Sequence, residues 1–156
     1  IEAGITLIEM LVVVAVISVM VGITFPTVAS GLDSIRLSSA SNSTASFLTA
    51  ALSMADRRQT MVQLTVIPQE NRLELRSPVP GSDRDLTIDE GIRITGVLPG
   101  IPGYQGGPRS VYLVPGGTAP RIGVVLTSSR GAARIVQVDP IMGLPKITRV
   151  DPEVAQ

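Results

Sequence analysis

A single carboxylate, Glu9, stands one helical turn into an otherwise mostly apolar run from Ile5 to Phe25. An ionised carboxylate there costs up to about 3 kcal/mol if it reaches the middle of a bilayer, so it calls for a partner of opposite charge. Elsewhere the residues that could do chemistry are fewer than the length suggests. The 156-residue chain has no cysteine and no histidine, which excludes disulfides, histidine triads and histidine or cysteine metal sites. Asp83, Asp85, Asp89 and Glu90 could in principle bind Ca²⁺ or act as acid and base, but their irregular spacing matches no ligand loop and reads better as a solvated turn. No metal, cofactor or enzymatic activity is expected.

The segment that must position Glu9 has about 21 mostly apolar residues. At about 1.5 Å per residue, a helix of them crosses the hydrocarbon core of a bilayer. The helix dipole favours an acid in the first turn, and snorkelling to head groups offers Glu9 a plainer role than ion pairing. Thr27-Val28-Ala29 loosely fits a secretory cleavage site, yet the apolar run is longer than a signal-peptide core of about 7–15 residues. No Lys or Arg precedes Arg36 and the chain does not start with Met, so the start of a precursor is expected to be missing.

Formal charge balances at 13 basic and 13 acidic groups, but unevenly along the chain. Residues 91–150 carry Arg93, Arg109, Arg121, Arg130, Arg134, Lys146 and Arg149 against Asp139 alone, a net of +6. Residues 70–90 carry Arg72, Arg76 and Arg84 against Glu70, Glu74, Asp83, Asp85, Asp89 and Glu90, a net of −3. The basic half offers phosphate contacts in principle. Scattered, solvated arginines are the simpler account.

After Pro26 the apolar positions Val28, Leu32, Ile35, Phe47, Leu48, Ala51, Leu52 and Ala55 recur near helical spacing. This predicts a helix running to about Arg58 that lays a narrow stripe on a domain, with Pro26 bending it. The Ser/Thr-rich run 38–46 is a poor helix former and is expected to fray or kink. The alternative is a break at Pro26 and a new helix near Asp33. Beyond residue 60 the period shortens. Strands are predicted at Met61–Ile67, Arg72–Arg76, Gly91–Thr95, Ser110–Val114, Arg121–Ser128, Arg134–Val138 and Leu144–Val150, with Pro68-Gln69-Glu70-Asn71 as a hairpin turn. Val97–Pro108 reads as the longest loop, with Tyr104 packed on it as a plug. The fold class is α+β: a long N-terminal helix, transmembrane in its first half, packed on a small antiparallel β-sheet or sandwich.

Gly4-Ile5-Thr6-Leu7-Ile8-Glu9, with the apolar run and Pro26 behind it, resembles the processing signature of type IV pilins and type II secretion pseudopilins. In that family a prepilin peptidase cuts after the glycine and methylates the new amino group. The resemblance implies cleavage between Gly4 and Ile5, N-methylation of Ile5 in place of the usual phenylalanine, and pairing of Glu9 with the amine of a neighbouring subunit. The stretch Ala45–Leu52 with Ala55, Arg57, Arg58 and Val62-Gln63-Leu64 looks like the H-type (GspH/FimT-like) minor pseudopilins. Tyr112-Leu113-Val114-Pro115-Gly116-Gly117 and Val138-Asp139-Pro140-Ile141-Met142-Gly143 are similar to the Pro-x-Gly turns of their C-terminal half.

The implied organisation is a leader remnant (1–4), a transmembrane helix (5–26), an amphipathic continuation (27–58) and a β-rich periplasmic domain (59–156). The implied function is a minor subunit of a type II secretion pseudopilus, at or near its tip, held in the bacterial inner membrane by a single pass. Its implied partners are other pilin subunits, the peptidase, the inner-membrane assembly platform and secreted cargo. The alternative is a FimT-like minor type IV pilin handling DNA. Such DNA binders have an arginine-rich segment after a C-terminal glycine, and here Gly143-Leu144-Pro145-Lys146 interrupts it. Lys146 and Arg149 are the candidate DNA contacts, and nucleic acid is the less expected partner.

Overall fold

Thr6 starts the first element because its hydroxyl accepts the Glu9 backbone N–H at 3.3 Å, satisfying one of the free donors at a helix start. From there one uninterrupted helix, α1, runs Leu7–Arg58, 52 residues or about 80 Å of rod. The computed structural model describes residues 6–101 and 106–150, and of residues 25–30 the backbone alone. The backbone stays helical through Pro26, so no second helix begins near Asp33. Gln59 closes α1 in the left-handed conformation (φ 49°), its N–H bonded to Ala55 O. Arg57 and Arg58 lie in the last turn, where the helix dipole favours cations.

The Ser/Thr run does not fray. It belongs to the buried face of α1, made by Leu37, Ala40, Ser41, Thr44, Leu48, Ala51 and Ala55 at alternating three- and four-residue steps. Ser41 and Thr44 return their hydroxyls to Leu37 O (2.6 Å) and Ala40 O (2.8 Å), so burying them strands no donor. Packing thus overrides weak propensity. The stripe expected from larger apolar residues is out of phase at its start: Leu32 and Ile35 are exposed.

Eight strands follow: β1 (Val62–Ile67), β2 (Arg72–Arg76), β3 (Arg84–Thr87), β4 (Ile92–Leu98), β5 (Arg109–Leu113), β6 (Gly123–Ser128), β7 (Ala133–Val138) and β8 (Pro145–Val150). They form two antiparallel four-stranded sheets, ordered β3-β2-β1-β5 and β4-β6-β7-β8. α1 packs chiefly on β6, β7 and β8. Alternating residues Val62, Leu64, Val66, Leu73 and Leu75 of one sheet, and Val124, Leu126, Val136 and Val138 of the other, join the helix face in one core. This is the α+β architecture of a long N-terminal apolar helix with antiparallel sheets.

Two sequence expectations need correcting. β3 falls in what reads as an acidic turn; Asp85 instead faces Glu74 across the β2–β3 ladder, and Arg76 bridges to both carboxylates at 2.7 and 3.1 Å. A charged strand of four residues has little apolar signal, as is usual at a sheet edge. β4 also continues past Thr95 to Leu98, because a register shift between Ile94 and Gly96 lets the strand re-pair with β6. The Pro68–Glu70 turn is a 3₁₀ turn ended by Asn71 in the left-handed region (φ 54°). The Asn71 amide donates to Ile92 O (2.7 Å) and Ile88 O (3.2 Å) and accepts from Ile94 N (2.8 Å), tying the β1–β2 turn to β4 in the other sheet. Arg109 of β5 adds a second tie by donating to the carbonyls of Val97 and Pro99.

Candidate functional site

Glu9 occupies the third position of α1, three residues after its Thr6 cap. Thr6-Leu7-Ile8-Glu9 matches the Thr-x-x-Glu pattern of a capping box, the sequence signal that could have located the helix start and made Thr6 a site residue. The Glu9 backbone N–H serves the cap, while its carboxylate is exposed and has no partner among the described residues. Around it the aliphatic surface is continuous. From Leu7 to Thr24 every side chain is exposed, and this stretch alone among the described helices is long and apolar enough to cross a membrane.

The other two polar side chains of that stretch are already satisfied. Ser18 Oγ donates to Val14 O (2.7 Å) and Thr24 Oγ1 to Met20 O (2.8 Å), the i−4 bonds by which hydroxyls enter hydrocarbon cheaply. Glu9 is the polar side chain of this stretch left without a partner among the described residues. Gly4 and Ile5 lie outside the described residues, as does Tyr104. Pro26 lies within α1 just under five turns beyond Glu9, by about 3.6 residues per turn.

Lys146 and Arg149 are exposed on β8, an edge strand, opposite Gln137 and Arg134. Arg134 turns to Ser38 of α1 (3.1 Å) and Arg109 to backbone carbonyls, so at least two of the seven basic groups of residues 91–150 are used inside the fold. The Asp139 carboxylate accepts the N–H groups of Ile141 (2.8 Å) and Met142 (3.2 Å). These bonds, aided by the positive charge of Lys146, hold its pKa below the usual aspartate range. Lys146 therefore has an acid for a neighbour rather than standing in a wholly basic field.

No protein-family model, curated protein or solved structure matches this chain.

The acidic residues do not converge. Asp83 accepts Ser77 N–H (3.0 Å), Asp85 pairs with Arg76, and no group of three or more acidic side chains that could hold a metal ion occurs among the described residues. The Arg76 guanidinium is held above its ordinary pKa first by its hydrogen bond to Asp85. Arg72 likewise spans Glu70 (2.7 Å) and Glu74 (2.5 Å), so the acidic segment is a cross-strand charge ladder. At the far end of α1, Asp56 accepts the Gly116 N–H (3.1 Å) beside a cleft of about 290 Å³ walled by Leu52, Leu113, Pro140 and Met142. Its polar groups offer no nucleophile–base pair.

Proposed function

We propose that this chain is a minor pseudopilin, a subunit that enters a type II secretion pseudopilus through its N-terminal helix and helps start the filament tip for protein export. Residues 5–26 anchor it in the bacterial inner membrane, and the β-rich part faces the periplasm. What supports the reading is the Glu9 carboxylate, without a partner among the described residues, at the start of an exposed aliphatic helix that continues, unbroken, into the helix packed on the two sheets. A helix that only anchored a domain could leave that carboxylate at the head groups, whereas a filament of staggered helices uses it, because the amine freed by cutting before Ile5 needs a counter-charge.

The partners on this reading are other pilin-type subunits, the prepilin peptidase, the assembly platform and exported cargo. Intact mass spectrometry tests it: co-expression with a prepilin peptidase should remove the chain through Gly4 and leave N-methyl-Ile5. A mature N-terminus at Ser30, or Glu2 retained beside active peptidase, would sink it.

The exposure of Lys146 and Arg149 on an edge strand favours one second reading, a FimT-like minor type IV pilin that captures DNA. Submicromolar binding of duplex DNA at physiological salt, lost in a Lys146→Gln/Arg149→Gln variant, would put that reading first.

A further inference from the structure

Along the C-terminal half of α1 runs a groove that neither reading uses. It consists of two hollows that meet at Ala50 and Arg84. One, of about 580 Å³, is floored by Phe47, Leu75 and Leu86; the other, of about 340 Å³, is rimmed by Arg57, Arg58 and Arg84. One wall is the helix and the other is β3. As the end strand of its sheet, β3 pairs only with β2 among the described residues, so the backbone groups of its other edge have no strand beside them.

The three arginines are exposed, and none makes an ion pair with a described residue. Arg72 and Arg76, each held by two carboxylates, alternate to the other face of the sheet from Leu75 and Arg84, so the acids that pair with them are not those beside the groove. The helix dipole accounts for arginines at positions 57 and 58, but not for Arg84, which arrives from a separate strand.

We propose that this groove binds an extended acidic segment of a partner protein. Three features select that occupant. The free edge of β3 offers main-chain pairing to an extended backbone. The apolar floor takes alternate side chains of such a strand. The three guanidinium groups take its carboxylates, which they can grip in pairs of hydrogen bonds. A nucleic acid would use only the last of the three, since a sugar–phosphate backbone has no use for an unpaired strand edge or for Phe47, Leu75 and Leu86. The proposal stands independently of whether the chain is a filament subunit.

The test uses the full chain in detergent micelles and fluorescent eight-residue peptides alternating valine with glutamate or aspartate, followed by anisotropy. Saturable binding is expected, weakened about tenfold or more in an Arg57→Gln/Arg58→Gln/Arg84→Gln variant and by replacing the peptide acids with glutamine. The side chains changed are exposed, so circular dichroism of the variant should match wild type. A backbone N-methylated peptide of the same sequence should also bind about tenfold or more weakly, because it cannot pair with β3. The proposal is overturned by any of four results: no saturable binding, equal binding by the triple variant, equal binding of the N-methylated peptide, or arginine-dependent binding of duplex DNA alone.

Discussion

Between Leu7 and Thr24, α1 carries aliphatic side chains almost throughout and buries none of them; between Leu37 and Ala55 it carries serines, threonines and alanines and buries a full face. The two stretches belong to one helix, so the contrast separates two things that hydropathy alone merges. In the first, the exposed apolar surface is long enough to cross a bilayer. In the second, small side chains let the helix axis approach the sheets closely, and the two buried hydroxyls are spent on the helix's own carbonyls. Burial there follows size and position on the face more than hydrophobicity.

The sharpest way to break the comparison is at Glu9, which belongs to the first stretch only. If its carboxylate meets the amine of a neighbouring Ile5, Glu9→Ala leaves that amine buried and unpaired, a loss of about 3–5 kcal/mol in comparable pairs. Cross-linking to other pilin-type subunits in membranes should fall steeply, while membrane insertion is kept, since the segment becomes more apolar. Glu9→Gln preserves size and some hydrogen bonding, so a similar loss there assigns the effect to charge. Equal cross-linking in wild type and both variants would mean that Glu9 only snorkels. The stability of the β-rich part should be the same in all three.

The second stretch should respond in the opposite way. Leu48 is 1 % exposed at the centre of the core, and Leu48→Ala is expected to destabilise the fold by about 2–5 kcal/mol in chemical denaturation followed by circular dichroism. Leu11→Ala, the same chemistry on the exposed aliphatic stretch, should leave that transition where it is. Ser41 then tells size from polarity. Ser41→Ala removes a back-bonded hydroxyl and should be near neutral, whereas Ser41→Leu forces extra volume into full burial at a cost of about 1–3 kcal/mol. Equal tolerance of alanine and leucine would refute the close-approach account.

Much of this is legible in the sequence. The aliphatic stretch stands out because nothing else in the chain has its length, and seven strands were readable because Val, Ile and Leu alternate between Gly- and Pro-rich turns. What was hidden has a common cause. The buried face of α1 rests on Ala40, Ser41 and Thr44, whose types give no hydrophobic signal, while the larger Leu32 and Ile35, which carry that signal, are exposed. β3 is held to its neighbour by the Arg76–Asp85 bridge, and its Asp85 reads in sequence as part of a solvated acidic turn. The Asn71 clamp and the groove at Arg84 both join residues from different elements, and no local pattern encodes such a meeting. Thr6 is the exception: its capping pattern was present and readable.

The smallest expected effect lies where the second stretch ends. The β7–β8 turn packs Pro140 and Met142 across a cleft from Leu52 and Ala55, so its order depends on the helix end and on its own Asp139. Asp139 accepts two backbone N–H groups as a carboxylate, and Gly143, at φ 67°, closes the turn with an N–H to Asp139 O at 2.8 Å. Because those bonds favour the charged form, the folded pKa lies below the unfolded one. The unfolded chain therefore takes up a proton first as pH falls, and the contribution of this group is complete above the ordinary aspartate range and fades on descending through it to the lower folded pKa. Since the group is no more than half-buried, the change should be small and local. In amide NMR spectra the Ile141 and Met142 signals should titrate together below the ordinary aspartate range, and Asp139→Asn should abolish that titration while leaving the signals of Leu48 and Val62 unmoved. Titration of Ile141 and Met142 at the ordinary aspartate value would mean that the turn is held by Gly143 and the helix end rather than by the carboxylate.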